Sequence, residues 1–407
     1  MAFEKTWRWF GPSDAITLND LKQMGIQGVV TALHHIPNGE TWPKEEILKT
    51  KNEIESYGLH WSVVESLPVH EEIKNGSHDR DKLIHHYRKS LRNLGECGID
   101  TVVYNFMPLL DWIRTDLHYK TPSGGESMLF HFPTFVAFDV FILKREGAMQ
   151  DYSPEQIRKA DRIFWHMTPE ERELLARNII VVSQGFIDGV IKGEYVDYKQ
   201  LFLKYLQLYQ QTGTEELRDN LNYFLDAILP VAEETGIRMA IHPDDPPYPV
   251  LGLPRIAGSL NDLLKIMELS SSSSHGLTFC AGSLSARRDN DLPDMAHQLA
   301  SRIQFLHLRN TRWLDEDTFY ESGHLDGEID MYALMKVFLE EQHRRISTGR
   351  KDYRMPLSSD HGIKMLGDFQ LNTHPGYPLT GRLKGLAELT GLENAIEKES
   401  GRTWLNR

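Results

Sequence analysis

Short apolar runs recur along the chain and alternate with longer, charged stretches in which apolar residues return every three or four positions. The short runs are typical of buried β-strands, and the charged stretches are typical of amphipathic helices. The pattern predicts eight strands, at residues 7–10, 28–33, 61–65, 101–106, 238–242, 277–280, 303–308 and 355–359. It predicts helices between them, among others at residues 44–56, 81–94, 215–235, 259–269 and 330–342.

The order of these elements indicates the fold class. A glycine followed by leucine or isoleucine, which suits the turn from a helix into a strand, lies at or before five predicted strands, at Gly25, Gly58, Gly98, Gly236 and Gly276. Eight strands alternating with helices predict an α/β fold, a parallel (β/α)8 TIM barrel, because eight strands can close a barrel. An open dinucleotide-binding sheet is the alternative, but no Gly-x-Gly-x-x-Gly follows any predicted strand.

The chain of 407 residues fits one barrel domain, spanning 1–407, with insertions. Residues 107–235 separate the predicted fourth and fifth strands, far more than the ~30 residues of a simple βα unit. A polar and aromatic loop at 111–127 precedes helical patterns at 154–162, 169–184 and 199–211. We therefore predict a mostly helical insertion after the fourth strand. It could cover the barrel mouth as a lid, or serve only as a stabilising flap or an oligomer surface.

Charge and composition exclude several function classes. The 45 Lys and Arg residues against 58 Asp and Glu residues give a formal net charge of −13, so we expect no general attraction to nucleic acid or to anionic membranes. Two cysteines, Cys97 and Cys280, exclude a disulfide framework. The chain shows neither a membrane-length apolar run nor a cleavable leader, which predicts a cytoplasmic protein.

Candidate chemistry lies where a barrel concentrates it, at the carboxyl ends of the strands. The last four predicted strands end at or beside residues that bind transition metals: His242, Cys280, His307 and Asp360. A single buried histidine or cysteine usually only packs. Two imidazoles, a thiolate and a carboxylate at four consecutive strand ends instead predict a metal site.

Neighbouring residues add candidate roles. Arg309 lies on the same strand face as His307, where it could bind a substrate carboxylate or form a salt bridge across the barrel mouth. His361, next to Asp360, could act as an acid or base or could support a metal ligand. Tyr377 lies in a proline-bounded turn, a position where an aromatic residue alone usually packs. Candidates for contacts with substrate hydroxyls, for which structural roles are the alternative, are Arg8, His34, Asn105 and Asn310.

Six motifs together resemble the mannonate dehydratase family. They are Trp-Arg-Trp-Phe-Gly-Pro at 7–12, His-Pro-Asp-Asp-Pro-Pro at 242–247, Phe-Cys-Ala-Gly-Ser at 279–283, His-Leu-Arg-Asn at 307–310, Asp-His-Gly at 360–362 and Pro-Gly-Tyr at 375–377. The resemblance covers essentially the full length, including the long insertion, and implies a xylose-isomerase-like barrel.

The resemblance also implies an activity. Members of the family convert D-mannonate to 2-dehydro-3-deoxy-D-gluconate and water in hexuronate (glucuronate) catabolism, with Mn²⁺ or Fe²⁺. Carried over by motif, the metal ligands are His242, Cys280, His307 and Asp360. The proposed acid and base are His361 and Tyr377, and the sequence does not decide which is which. Arg309 is a third catalytic candidate, which could share with the metal ion the neutralisation of charge on the substrate. Intrinsic affinity for a thiolate and two imidazoles favours Zn²⁺ over Mn²⁺, so the choice of metal follows from the resemblance alone.

Three other functions remain to be weighed. A sugar isomerase or epimerase on the same barrel would carry a site rich in Glu and Asp, whereas this one has Cys280 and two histidines. A metal-dependent endonuclease would need a basic stripe laced with aromatic residues, which is missing. A sensor that binds sugar acids would show no turnover. We expect the chain to bind a small sugar acid, D-mannonate, and neither nucleic acid nor a membrane. A homo-oligomer, such as a dimer, is compatible with the sequence.

Overall fold

The computed structural model describes residues 3–185 and 197–401. The strands in this part of the chain are β1 Glu4–Arg8, β2 Gly28–Thr31, β3 His60–Glu65, β4 Thr101–Tyr104, β5 Asp116–Lys120, β6 Glu126–His131, β7 Arg238–Ile241, β8 His275–Cys280, β9 Ile303–His307, β10 Asn310–Trp313, β11 Thr318–Ser322 and β12 Pro356–Ser358. The α-helices are α1 Leu18–Gln23, α2 Lys44–Ser56, α3 Glu71–Lys74, α4 Arg80–Glu96, α5 Phe132–Ala137, α6 Pro154–His166, α7 Pro169–Arg177, α8 Tyr198–Gln207, α9 Thr214–Thr235, α10 Leu260–Glu268, α11 Ala281–Ser285, α12 Leu292–Leu299, α13 Met331–Ser347 and α14 Leu379–Glu399.

Eight parallel strands close a barrel in the order β1-β2-β3-β4-β7-β8-β9-β12, and β12 pairs back with β1. Each of them overlaps one of the eight apolar runs from which a strand was predicted. The amphipathic stretches named above become α2, α4, α9, α10 and α13. The predicted (β/α)8 barrel is therefore confirmed.

The glycines before the strands mostly act as predicted. Gly236 ends α9 in the left-handed conformation, at φ 72°, and donates to the carbonyl oxygens of Ala232 and Glu233. Gly25, Gly58 and Gly98 adopt positive φ in the same way. The prediction is wrong for Gly276, which lies inside β8, where a Cβ atom would come within 2.4 Å of the carbonyl oxygen of Arg302. The glycine there permits close contact between neighbouring chain segments.

The inside of the barrel is filled by a layer of apolar side chains, Val30, Val63, Val103, Ala240 and Phe305, each at most 1% exposed. Side chains two positions apart on a strand point to the same face. The residue two positions after each member of this layer therefore points into the barrel mouth, as long as the strand continues in extended form.

The segment between β4 and β7 is less uniformly helical than the sequence analysis indicated. The predicted helical patterns correspond to α6, α7 and α8, but the segment also contains β5 and β6, and β5 falls within the stretch 111–127 that was predicted to be a loop. These two strands join β10 and β11 in an antiparallel sheet of order β10-β11-β6-β5. Their partners come from a distant part of the chain, so the local sequence pattern did not reveal the pairing.

None of the helices in the described part of the chain has an apolar stretch of the length and low charge that a bilayer crossing requires.

The packing of α13 on the barrel generates a stability prediction. Phe338 is fully buried, and its ring centroid lies 5.1 Å from that of Phe279 on β8. Phe338→Ala should lower the free energy of unfolding by about 3–5 kcal/mol, because it removes buried apolar surface and leaves a cavity. Lys336→Ala, at an exposed position of the same helix, should change it by less than about 0.5 kcal/mol. Denaturant unfolding measures both, and equal effects would contradict this packing role.

Candidate active site

A cavity opens at the carboxyl ends of the barrel strands, where a barrel is expected to hold its chemistry. Residues from the strand ends, from the loops that follow them and from the start of the insertion line it: Arg8, Glu65, Ser66, Val103, Asn105, Asp111, Trp112, His242, His307, Arg309, Asp360, His361 and Tyr377. Alternation along the strands explains several of these positions. Glu65, Asn105, His242 and His307 each follow an inward-facing apolar residue by two positions.

Three residues at this end of the barrel form a group that could hold a metal ion. One ligand atom from each of His242, Cys280 and His307 lies within 4.8 Å of the other two. The carboxylate of Asp360 adjoins the group, with its Oδ2 atom 3.6 Å from Nδ1 of His307. Imidazole, thiolate and carboxylate groups are common ligands of divalent transition metals.

The hydrogen bonding of these side chains fits a metal. Nδ1 of His242 donates to the carbonyl oxygen of Pro243 at 2.7 Å, so Nε2 is the ring nitrogen that can coordinate an ion, once it gives up its own hydrogen. Nδ1 of His307 is buried without a hydrogen-bond partner in the described structure, and a coordinated ion would satisfy it.

The cysteine is poised as a thiolate. Burial alone would raise the pKa of the Cys280 thiol, but the positive charges of Arg309 and His242 hold it well below its usual range. The Ser283 hydroxyl also donates to Sγ, at 3.1 Å. The thiolate is the form that binds metals.

Asp360 is held in an uncommon backbone conformation, at φ 58°. Its N–H donates to the Ser358 hydroxyl at 3.0 Å, and its carbonyl oxygen accepts from Nε of Arg382 at 2.7 Å. A left-handed residue two positions after the end of β12 turns the chain sharply and costs energy unless its surroundings hold it. The turn directs Asp360 and His361 into the same cavity.

His361 and Tyr377 lie together in the cavity. Their ring centroids are 4.7 Å apart in an edge-to-face arrangement. The ring centroid of Trp112, from the insertion, lies 5.7 Å from that of His361. Burial and the nearby carboxylate of Asp360 raise the pKa of the Tyr377 phenol well above its usual value. The phenol therefore keeps its proton at neutral pH and can donate it.

Arg309 forms the salt bridge across the barrel mouth that was one of its two predicted roles. Its NH1 donates to Oε1 of Glu321 at 2.7 Å, and its NH2 donates to Oδ2 of Asp245 at 2.6 Å and to the Ser283 hydroxyl at 2.9 Å. Its Nε lies 3.0 Å from Oδ2 of Asp360. With its donors directed at protein acceptors, Arg309 is not arranged as an open fork for a substrate carboxylate.

Arg114 completes this group of buried charges. It donates to both oxygens of Asp245, at 2.7 and 3.0 Å, and to Oε1 of Glu321 at 2.8 Å. None of these three residues was predicted from the sequence to be part of the site. Asp245 stands in the motif at 242–247 and could have been suspected, but Arg114 and Glu321 carry no local signal.

Two of the residues proposed to bind hydroxyls line the cavity. NH1 of Arg8 forms an ion pair with Oε2 of Glu65 at 2.8 Å, and Nδ2 of Asn105 donates to Oδ2 of Asp111 at 3.4 Å. Burial alone would raise the pKa of Glu65, but His307 and Arg8 lower it to about 2, so it is ionised. Glu65 was missed although it ends a predicted strand.

The other two residues proposed to bind hydroxyls, His34 and Asn310, are not among the cavity-lining residues. His34 comes after the end of β2 at Thr31, so strand alternation no longer places it, and it is not among the cavity-lining residues. Asn310 is the first residue of β10, and its side chain bonds to the protein backbone. It donates to the carbonyl oxygen of His324 at 3.0 Å and accepts from the N–H of Ile329 at 3.2 Å.

Known proteins are similar to this chain in sequence. The model of the D-mannonate dehydratase (UxuA) family matches residues 3–403. A mannonate dehydratase of Chromohalobacter salexigens is 48% identical over 401 residues, covering 97% of this chain and 99% of that protein. A mannonate dehydratase of Saccharophagus degradans is 42% identical over 395 residues, covering 97% and 98%.

Solved structures agree. The crystal structure of mannonate dehydratase from Streptococcus suis serotype 2 superposes with a TM-score of 0.76 at 34% identity, covering 98% of this chain and 95% of that one. A D-tagatose 3-epimerase-like protein, at a TM-score of 0.51 and 10% identity, shares the fold alone. The match over nearly the whole chain confirms the resemblance seen in the motifs: the chain belongs to the D-mannonate dehydratase (UxuA) family.

Proposed function

We propose that this chain removes water from D-mannonate to give 2-dehydro-3-deoxy-D-gluconate, a step of hexuronate catabolism. The observation that carries the proposal is the meeting, in one cavity of a member of this family, of His242 and His307, whose ligand atoms lie within 4.8 Å of that of Cys280, with two proton-exchanging groups, His361 and Tyr377. Family membership favours this reaction over a sugar isomerase, an endonuclease or a sensor.

We propose His242, Cys280, His307 and Asp360 as the ligands of a divalent cation, Mn²⁺ or Fe²⁺. Such a cation, when bound, neutralises negative charge that builds on the substrate's carboxylate and adjacent hydroxyl as the C2 proton leaves. Nδ1 of His307 has no hydrogen-bond partner in the described structure and lies 3.6 Å from Oδ2 of Asp360, which supports both residues as ligands of one ion.

We assign the base to His361 and the acid to Tyr377. Nε2 of His361 takes the C2 proton, and the electron pair of the C2–H bond forms the C2=C3 double bond as the C3–O bond breaks. The phenol of Tyr377 protonates the departing hydroxyl, which leaves as water. The enol product then becomes the 2-keto acid by tautomerisation. The raised pKa of Tyr377 keeps the phenol protonated at neutral pH, so a proton is present for the departing hydroxyl.

Arg8 and Asn105 are proposed to contact the substrate hydroxyls, since both line the cavity on the side formed by the first half of the barrel. The cytoplasmic location and the homodimer stay predictions.

Turnover with defined metals tests the reaction. Protein treated with chelator and reloaded separately with Mn²⁺, Fe²⁺ or Zn²⁺ should form the 2-keto-3-deoxy acid from D-mannonate with Mn²⁺ or Fe²⁺ only. The assay follows the accumulation of this 2-keto-3-deoxy acid over time. Absence of product with every metal, in folded protein that binds one, would reject the dehydratase and favour the isomerase or sensor.

The metal site can be tested through its cysteine. Cys280→Ala should weaken Mn²⁺ binding by at least the ~10–100-fold that loss of an outer hydrogen-bond partner costs a metal site. Equilibrium dialysis with metal analysis measures this directly. Cys97→Ala is the matched control, because Cys97 is the other buried free cysteine and does not belong to the group formed by His242, Cys280 and His307. Equal Mn²⁺ affinity in the two variants would remove Cys280 from the ligand set.

The acid can be tested by removing one oxygen atom. Tyr377→Phe should bind metal normally but lower kcat by about 10²-fold or more, because the hydroxyl then leaves without a proton donor. Tyr320→Phe, at a buried tyrosine of β11 that is not among the cavity-lining residues, should keep the activity. Near-normal turnover in Tyr377→Phe would assign the acid to another group.

A further inference from the structure

We propose that Glu321 is a positioning residue for the reaction, which holds the hydrogen of His361 on Nδ1 and so leaves Nε2 as a lone pair for the substrate. The inference rests on the proposed function and deepens it. It explains how a histidine in a crowded, charged cavity is kept in the one tautomer that can act as a base.

The contacts of Glu321 carry the inference. Its side chain is buried, and Oε2 lies 2.6 Å from Nδ1 of His361. The other oxygen, Oε1, accepts from Arg309 at 2.7 Å and from Arg114 at 2.8 Å. The two oxygens thus have separate tasks, since one is held by the arginines and the other faces the imidazole.

A second neighbour competes for the same ring nitrogen. NH1 of Arg309 lies 2.5 Å from Nδ1 of His361. A guanidinium can only donate, so a bond from Arg309 requires a lone pair on Nδ1, whereas a bond to a carboxylate requires a hydrogen there. In a neutral imidazole these two arrangements place the hydrogen on opposite nitrogens.

Charge decides this competition. Burial alone would raise the pKa of Glu321, but the positive charges of Arg309 and Arg114 and the hydrogen bond to His361 lower it to about 2, so the carboxylate is ionised and can only accept. If Nδ1 lacked a hydrogen, Oε2 would be a buried anionic oxygen facing a lone pair. A single guanidinium hydrogen without an acceptor is the smaller loss, because the charge of Arg309 is delocalised, NH1 still donates to Glu321, and NH2 donates to Asp245 and Ser283.

The same carboxylate also serves the step itself. When Nε2 takes the C2 proton, the ring becomes an imidazolium with hydrogens on both nitrogens. Glu321 already accepts from Nδ1, so the positive charge forms beside a fixed negative one without rearrangement.

The second sheet delivers this carboxylate. Glu321 lies on β11, which pairs with β6 of the insertion, and the Ser127 hydroxyl on β6 donates to the carbonyl oxygen of Glu321. Arg114, also from the insertion, holds Oε1. One role of the insertion is therefore to hold the partner of His361 in place.

Glu321→Gln provides the sharpest test. Arg309 and Arg114 already donate to the position of Oε1, so the amide oxygen takes that place and the amide nitrogen faces His361. An amide nitrogen can only donate, which reverses the hydrogen bond and moves the ring hydrogen to Nε2. We expect kcat on D-mannonate with Mn²⁺ to fall by about 10²-fold or more while KM and bound Mn²⁺ change little.

Glu321→Asp separates positioning from packing. It keeps an anionic acceptor but shortens the side chain, so it disturbs the packing more than the isosteric glutamine does. Positioning predicts a higher kcat for Glu321→Asp than for Glu321→Gln, and a purely structural role predicts the reverse order. Glu316→Gln is the matched control, because it makes the same exchange at an exposed glutamate just before β11, and it should keep kcat.

A measurement without turnover separates this inference from the proposed function. Nitrogen-15 spectra of histidine-labelled, metal-free protein report which ring nitrogen carries the hydrogen, and loss of a signal in His361→Asn assigns the ring. The wild-type protein should show the hydrogen on Nδ1 and Glu321→Gln should show it on Nε2. A hydrogen on Nε2 in the wild type would overturn the positioning role even if the enzyme is active. Wild-type protein with the expected spectrum but no dehydratase activity would instead reject the proposed function.

Discussion

The buried charges at the barrel mouth are the constraint on which the site depends. Arg114, Asp245, Arg309 and Glu321 are each at most 2% exposed, and every one of them bonds to opposite charges. Removing any member would leave an unpaired charge out of water, which is strongly unfavourable. The four residues come from the insertion, the loop after β7, the end of β9 and the second sheet, so their pairing fixes these segments against the barrel.

The apolar layer inside the barrel lies next to these buried charges. The ring centroid of Phe305, which belongs to this layer, lies 4.6 Å from the ring centroid of His307, one of the proposed metal ligands. Charges and hydrogen bonds are stronger in such a setting than in water, and unsatisfied ones cost more. The same feature that strengthens the site therefore requires the many pairings found around it.

The end of the chain completes the site from the opposite side. After β12, the left-handed turn at Asp360 depends on Arg382 of α14, whose guanidinium also stacks on the ring of Trp7 at 3.8 Å. The last helix thus ties the eighth barrel strand to the first. This closure places His361 and Tyr377 beside the proposed metal ligands. Residues 362–376 separate His361 from Tyr377 along the chain.

The sequence by itself determined the eight strands, most of the helices and the candidates His242, Cys280, His307, Asp360 and His361, because a strand and its last residue are local properties of the chain. Only the tertiary structure decided that β5 and β6 pair with β10 and β11, that Arg309 bonds to protein carboxylates, and that Asn310 and His34 do not line the cavity. Pairing between distant segments, and the burial of one charge against another, depend on neighbours in space. The local hydrophobic pattern does not predict which distant residues will be neighbours in space. The role of a residue such as Glu321 can therefore be recognised only in the folded chain.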